Sequence, residues 1–464
     1  MRFEPVREAD LTFFRDLLGP ARVHTGSAIA DEFAHDELGE ARHLPDVVLE
    51  PGSTEEVAAI LRYANDHRLP VTPRGSGTGL CGGATPVCGG ILLSLARLDK
   101  IIEIDEQNLT ATVEAGVILL NFQETVERLG LMYPPDPGEK SATIGGNVMT
   151  NAGGMRAVKY GVTRDYVRGL QAVLPSGQVI EVGGKVAKNS SGYSLLHLLV
   201  GSEGTLATVT RVTVRLVPLP KKTVSLLVPF QSLPLAIRAV PQLALKKINA
   251  QAIEFMEREV IEAAEDYLGK QFPDRSAPAY LLIRFDGNSM AELEGTIDAA
   301  AQVCLESGAD DVLIADTIDR QAAIWEARGA FLEALKAGSL MDEVDVVVPR
   351  DRIATFIEFT KEIEQAEGLR IRSFGHAGDG NLHVYLMRDD LSESDWHDRL
   401  ERAMARLYAR GRELGGQVSG EHGIGYAKRT YLSESIGMTQ LQLMRGIKAV
   451  FDPHGIMNPD KVLE

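Results

Sequence analysis

The feature that most restricts what this chain can become is a glycine-rich run at residues 70–83, PVTPRGSGTGLCGG. Gly75, Gly77, Gly79 and Gly82 recur at alternate or near-alternate positions. That spacing frees the backbone to approach a ligand and to aim several N–H donors into one concavity. Such a cradle suits a diphosphate, with Arg74 as the only added charge. A formal G-x-G-x-x-G is present (Gly77, Gly79, Gly82), but a nucleotide fingerprint needs a helix directly after it. Gly83, Pro86 and the Gly89-Gly90 pair follow instead, which disfavours a nicotinamide-type Rossmann unit. A plain tight-turn loop without a ligand remains the competing reading at this point.

Two more clusters lie downstream. Ser141-Ala142-Thr143-Ile144-Gly145-Gly146-Asn147 runs on to Asn151-Ala152-Gly153-Gly154, after a rigid entry through Pro134-Pro135-Asp136-Pro137. Gly201-Ser202-Glu203-Gly204-Thr205-Leu206 precedes an alternating strand over 209–217 that begins at Val209. Three separated clusters exceed what turn-making requires. Small residues at this density let a flat ring system lie against backbone.

The chain divides by pattern. Residues 1–45 read as a helical preface, with Leu11, Phe14, Leu17 and Leu18 at helical spacing. Residues 46–220 hold the glycine clusters among short β-type runs, beginning with Val47-Val48-Leu49 and a helix whose start carries Ser53 and Glu56 as a capping box. Residues 221–410 have fewer glycines and alternate helices (290–305, 353–366) with strands (280–285, 344–348), as a separate α+β domain does. Residues 411–464 return to glycine-rich sequence.

Three of the ten histidines sit in dense motifs. FGHAGDGNLH (374–383) joins two β-type runs through Gly-Asp-Gly-Asn, strong turn chemistry, so His376 and His383 can face each other near the ends of a hairpin. Ser419-Gly420-Glu421-His422-Gly423-Ile424-Gly425 adds a carboxylate and a third imidazole in a flexible loop. Two histidines and a carboxylate form a frequent catalytic-metal set with open positions for substrate. A hydrogen-bonded turn with structural histidines is the other reading.

The 464 residues carry a formal charge of −17, which disfavours nucleic acid or an anionic membrane as the main partner. Cys81, Cys88 and Cys304, with no C-x-x-C pair, make a disulfide framework, a thiolate zinc site and a cysteine-held iron–sulfur cluster poor expectations. No apolar run is long enough to span a membrane, and the N-terminus does not read as a targeting peptide, so a cytoplasmic protein is expected.

RGSGTGL, GGNVMTNAGG and GSEGTL together resemble the FAD domain of the vanillyl-alcohol-oxidase-like, PCMH-type flavoproteins. Within these the chain is similar to the D-lactate dehydrogenase, glycolate oxidase D-subunit and D-2-hydroxyglutarate dehydrogenase branch, over about residues 45–464. The resemblance implies an α+β fold: a two-subdomain FAD-binding domain, an α+β cap that takes the substrate, and a C-terminal segment completing the flavin site. It implies that Arg74, Gly75, Ser76, Gly77, Thr78, Gly79 and Leu80 hold the pyrophosphate. Thr143, Gly145, Gly146, Asn151, Gly153 and Gly154 would lie along the flavin, with Pro135, Ser141, Glu203, Val209 and Asn458 as further cofactor contacts. The first loop offers Ser76 and Thr78 where some relatives carry a flavin-linking histidine, so non-covalent FAD is implied.

By the same resemblance His376, His383 and Glu421 match ligands of a divalent cation, zinc or manganese, and His422 matches the catalytic base. Arg328 matches a substrate-carboxylate arginine; a surface arginine on a helix is its plain alternative. The chemistry implied is oxidation of a 2-hydroxy acid, with the hydroxyl proton going to His422 and hydride to flavin N5. Glu343 and Tyr385 stand where the hydroxyglutarate branch has a lysine and an asparagine, which favours a small monocarboxylate such as D-lactate. An electron-transferring flavoprotein or a separate iron–sulfur subunit would take the electrons onward. A metal-dependent hydrolase and a non-catalytic flavin subunit are the competing classes. The first leaves the glycine clusters unexplained, and the second leaves the histidine motifs without a purpose.

Overall fold

Residues 3–38 and 41–463 are described in the computed structural model. The chain forms two compact units. The first comprises Met1–Ala152, Val162–Leu219 and Glu421–Glu464; the second comprises Gly153–Gly161 and Pro220–Gly420. The second unit runs to Gly420 where the sequence reading puts a boundary near 410, and its nine-residue piece Gly153–Gly161 begins with the last two residues of the second glycine cluster.

In the first unit a four-stranded sheet has the order Val23–Thr25, Val47–Leu49, Ile91–Ser94, Val71–Arg74. The last three strands are parallel, and the first pairs antiparallel to Val47–Leu49. The helix Thr54–His67 covers it. Val57, Ile60 and Leu61 are fully buried on one face of that helix, each contributing roughly 1.5–3 kcal/mol of burial. Ser53 Oγ accepts from the Glu56 N–H at 3.2 Å, as the capping box requires. The Glu56 carboxylate, however, accepts from Gly52 N and from both Arg22 nitrogens at 2.7–2.8 Å. A bidentate charge-assisted pair outcompetes the return bond to the cap.

The helical preface is a correction. Among the described residues of this segment only Glu8–Leu18 is an α-helix; Gly19, at φ +82°, and Pro20 end it, and Val23–Thr25 joins the sheet. Phe14 and Leu18 are buried in the same core as Val57, Ile91 and Met457, so residues 8–25 are part of this unit. A second, antiparallel sheet has the order Ile101–Asp105, Thr110–Glu114, Thr208–Arg215, Val167–Val173, Val179–Gly183. The returning C-terminal segment closes on Val71, whose N–H donates to Ile456 O and whose carbonyl accepts from Asn458 N.

The second unit is built on a seven-stranded antiparallel sheet, in the order Leu313–Ala315, Lys222–Phe230, Ala279–Gly287, Ala252–Glu257, Arg370–His376, Asn381–Met387, Met341–Val347. Helices Arg258–Leu268, Ile318–Gly329 and Phe331–Gly338 cover one face, with Met256, Leu282, Phe331, Phe374 and Tyr385 in the shared core. The mixed helix and sheet architecture is the α+β one expected.

Candidate functional site

The FGHAGDGNLH motif is a β-hairpin with His376 paired to Asn381 across the turn and Phe374 opposite His383. Side chains on one face of a strand repeat every second residue, so His376 and Phe374 share a face with His383. His376 Nε2 lies 3.3 Å from His383 Nε2, and both side chains are buried. Nδ1 of His376 lies 2.8 and 2.9 Å from the two carboxylate oxygens of Glu254. With Glu254 ionised, Nδ1 carries the proton and Nε2 presents a lone pair. Two Zn–N bonds of about 2.0–2.1 Å at a tetrahedral angle put their nitrogens roughly 3.3–3.4 Å apart. The observed spacing fits a shared divalent cation, and the carboxylate behind His376 is the usual orienting partner of a metal-bound imidazole.

Glu254 is the functional residue that sequence reading missed. It is fully buried in the Ala252–Glu257 strand and is held by the His376 imidazole and the Arg328 guanidinium. Burial opposes its ionisation, yet the charges of His376 and Arg328 hold its pKa below the ordinary carboxylate value. One signal was available: an acid on the same strand face as Ala252 and Met256, in a strand whose other acid, Glu257, alternates to the opposite face. Arg328 donates Nε and Nη2 to Glu254 Oε2 at 3.0 and 2.5 Å, and its guanidinium lies 4.7 Å from the centre of the Phe374 ring. Arg328, which the resemblance matches to a substrate-carboxylate arginine, is buried, where its plain alternative was a surface position.

His383 Nδ1 stands 3.5 Å from Glu343 and 3.8 Å from Asp345. Asp345 is fully buried and accepts from Asn381 Nδ2 at 2.6 Å, Ser419 Oγ at 2.8 Å and Gly420 N at 3.0 Å. Tyr385 is buried on Phe374, and its pKa is raised well above 10 by burial and by Glu343. The chain that carries Glu421 and His422 therefore leaves the second unit from a fixed point.

In the first unit that segment is fixed as well. Glu203, at φ +52°, accepts from Ile424 N and Gly425 N at 2.8 and 2.7 Å, while Asn458 Nδ2 donates to Glu203 O and Gly83 O. Burial raises the Glu203 pKa, partly offset by the two amides. The loop expected to be flexible is tethered on both sides. Glu203 and Asn458, expected as cofactor contacts, carry this tether, and Val209 is a buried core side chain in the Thr208–Arg215 strand. His422 Nε2 lies 3.9 Å from Glu421 Oε1.

The first glycine loop follows the Val71–Arg74 strand, and no helix opens from it. Arg74 is buried: Nη1 donates to His35 O at 2.7 Å, and burial, opposed by Asp36, lowers its pKa. Its guanidinium lies directly beneath Gly77, where φ is +78° and an added Cβ would stand 1.9 Å from Nη2. The second cluster contains a helix that sequence reading missed, Ile144–Thr150, with Thr143 Oγ1 accepting from Gly146 N at 3.1 Å. Gly145 packs against the Ala115 backbone, where a Cβ would lie 2.7 Å from the Ala115 carbonyl oxygen. Asn151, at φ +54°, ends the helix and accepts from Arg164 N. Ser141 is exposed and Pro135 buried, with its carbonyl accepting from Gln123. Gly153 and Gly154 are buried in the second unit's nine-residue piece.

A cavity of about 210 Å³ in the first unit is lined by Ser76, Gly116, Val117, Ile118, Asn121 and Thr143. It joins the first two glycine clusters and has room for one segment of a dinucleotide, beside backbone that can donate. These residues fit FAD. Gly77→Ala is expected to displace Arg74 and strain φ, lowering FAD affinity about tenfold or more. The flavin-to-protein absorbance ratio after desalting measures this; full flavin content in the variant would remove the loop from the cofactor site.

Comparison with known proteins agrees in extent. Residues 45–193 match the family described as FAD binding domain, and residues 219–462 the FAD linked oxidases, C-terminal domain. The chain is 48% identical to a D-lactate dehydrogenase of Anaerostipes hadrus, covering 96% of this chain and 95% of that one. It is 40% identical to the glycolate oxidase subunit GlcD of Bacillus subtilis (strain 168), over 96% and 94% of the two chains. Substrate-bound p-cresol methylhydroxylase has a similar fold, with a TM-score of 0.81 at 17% identity over 99% and 98% of the chains.

Proposed function

Since the chain belongs to the FAD-linked oxidases and is an FAD-dependent oxidoreductase, we propose that it oxidises a small D-2-hydroxy acid, D-lactate to pyruvate, with a histidine base and a divalent metal. The observation that carries this reading is the buried His376–His383 pair, at a spacing suited to one cation and backed by Glu254. FAD when bound supplies a hydride acceptor at N5, and the cation a Lewis acid that lowers the pKa of the substrate hydroxyl.

The chain's residues divide the remaining work. His376, His383 and Glu421 hold the cation, zinc or manganese. Glu254 keeps the proton of His376 on Nδ1, so that Nε2 faces the metal. His422 accepts the hydroxyl proton on its imidazole while hydride leaves the substrate's α-carbon, yielding a 2-oxo acid. The loop 74–80 and the helix starting at Ile144 hold non-covalent FAD.

Glu343, close to His383 and only 12% exposed, places negative charge where a second substrate carboxylate would otherwise be tolerated. This supports a monocarboxylate. Glu343→Gln is expected to raise kcat/KM for D-2-hydroxyglutarate relative to D-lactate by roughly tenfold, the scale of one like-charge contact. An unchanged ratio would remove Glu343 from selectivity. Similarity to a glycolate oxidase subunit supports a second reading, in which the chain works beside an iron–sulfur partner; an electron-transferring flavoprotein is the alternative acceptor.

Anaerobic mixing with D-lactate, glycolate and D-2-hydroxyglutarate tests the proposal. Bleaching of the flavin band should be fastest with D-lactate. A yellow protein bleached by none of the three would overturn the enzymatic reading. Metal analysis of the same sample tests the cation.

A further inference from the structure

The nine residues Gly153–Gly161 are held at both ends, by groups that neither the flavin nor the cation requires. The helix Ile144–Thr150, whose cap Thr143 lines the 210 Å³ cavity, is followed by Asn151 and Ala152. Ala152 O accepts from Thr163 N at 3.1 Å and from Thr163 Oγ1 at 2.8 Å. The chain between Ala152 and Thr163 is therefore a loop closed at its base. It reverses at Gly154 (φ +104°) and Gly161 (φ +83°). Its far end is the helical turn Ala157–Tyr160, with Ala157 N donating to Gly154 O at 3.0 Å. A short loop with its own hydrogen bonds and a pinned base moves as one piece.

That far end is anchored in the second unit, to which these nine residues belong. Asp286, on the Ala279–Gly287 strand, has a fully buried side chain. It accepts from Lys159 Nζ, from the Tyr160 hydroxyl at 2.6 Å and from Gln251 Nε2 at 2.7 Å. One buried carboxylate thus holds two successive side chains of the loop, through bonds of the strong, charge-assisted kind. Gln251 ties the same carboxylate to the start of the Ala252–Glu257 strand, which carries Glu254.

A second contact is steric. Gly378 lies in the turn between His376 and His383, and its N–H donates to Ile253 O at 3.0 Å, next to Glu254. A Cβ at Gly378 would stand 2.7, 2.8 and 3.2 Å from Cγ2, Cβ and Cγ1 of Val158. Gly378 is not at positive φ, so the glycine is there for space. The loop lies directly on the turn that closes the histidine hairpin, and a close-packed contact passes a displacement on.

We propose that Gly153–Gly161 is a positioning element, anchored by Asp286 and seated through Val158 on Gly378, that couples the cation hairpin to the flavin. Filling the cation site is then felt at the flavin, and the substrate's α-carbon is held at reacting distance from N5. The proposal deepens the hydroxy-acid reading and rests on it for the flavin-facing role of Gly153 and Gly154 and for the cation. Hydride transfer needs the reacting atoms about 3–3.5 Å apart, and a misplacement of about 1 Å can cost 10²-fold.

The visible circular dichroism of bound FAD gives a readout that needs no turnover. Titrating chelator-treated holoenzyme with Zn²⁺ should change that signal saturably. Asp286→Asn keeps the size of the anchor but removes its charge, Tyr160→Phe removes one of its bonds, and Gly378→Ala pushes on Val158 from the other end. Each should keep FAD content, thermal midpoint and Zn²⁺ affinity within about threefold of the unaltered protein, while the dichroism response falls by at least about half. Flavin reduction by D-lactate should slow about 10- to 100-fold in Asp286→Asn and Gly378→Ala, with KM within a few-fold.

A flavin signal that ignores Zn²⁺ in the unaltered protein, or variants that respond as fully as it does, would overturn the coupling. So would a slower reduction that appears only together with loss of FAD or of Zn²⁺ affinity, which would make the loop a structural prop. Failure of the unaltered protein to bind Zn²⁺ would overturn the coupling along with the cation site. A flavin that responds to Zn²⁺ through Asp286 yet is reduced by no 2-hydroxy acid would sink the dehydrogenase reading and leave the positioning element standing.

Discussion

Replacing His422 with Asn is expected to slow flavin reduction by D-lactate about 10³-fold while FAD remains bound at full occupancy. Removal of a general base costs typically 10²–10⁴-fold, and Asn retains much of the size and hydrogen bonding of the imidazole. The backbone around His422 does not depend on its ring. Gly420 N is held by Asp345, and Ile424 N and Gly425 N by Glu203. The loss should therefore appear in the rate of the reductive step and leave substrate affinity nearly unchanged. Stopped-flow absorbance under anaerobic conditions separates the two, and a variant reduced within a few-fold of the normal rate would remove His422 from the chemistry.

The second large effect is expected at Glu254. Its carboxylate is completely buried between Arg328 and His376. Truncation to Ala leaves the Arg328 charge buried without its partner, which costs about 3–5 kcal/mol. For a unit of this size that is a fall in Tm on the order of 10 °C. Glu254→Gln keeps the volume and one acceptor oxygen, so its loss of stability should be smaller. It still removes the charge that fixes the His376 tautomer, and loss of such an orienting partner lowers metal affinity about 10- to 100-fold. Calorimetric melting and titration with Mn²⁺ or Zn²⁺ measure these independently. If Glu254→Gln keeps both Tm and metal affinity, the residue is filler beneath the hairpin.

Much of this was legible in the chain. The hairpin at 370–387 follows from two β-type runs around a turn sequence that tolerates little else, and side-chain alternation then brings His376 and His383 together. The absence of a helix after Gly83 follows from Pro86 and the paired glycines. The helix Ile144–Thr150 was not legible, because Gly145 and Gly146 weaken any local preference for helix. Its support is tertiary: the Thr143 cap and close packing on Ala115. The N-terminal strand was missed for a similar reason, since a three-residue strand carries almost no periodic signal and Val23–Thr25 forms only against Val47–Leu49.

The three glycine clusters were enough to suggest a diphosphate cradle and a flat ring laid against backbone, and to turn away from a Rossmann unit, while the resemblance supplied the flavin. Both inferences rest on local backbone freedom, which is a property of residue type. The same holds for the imidazole pair, set by a short turn and a period of two. Partner choice among charges was decided by the fold alone. Arg328 faces Glu254, 74 residues away in sequence; Glu203 faces Ile424 and Gly425, more than 220 away; and Arg284 lies on the ring of Trp325. Charge pairing depends on distance and burial, and neither exists until distant strands are laid side by side.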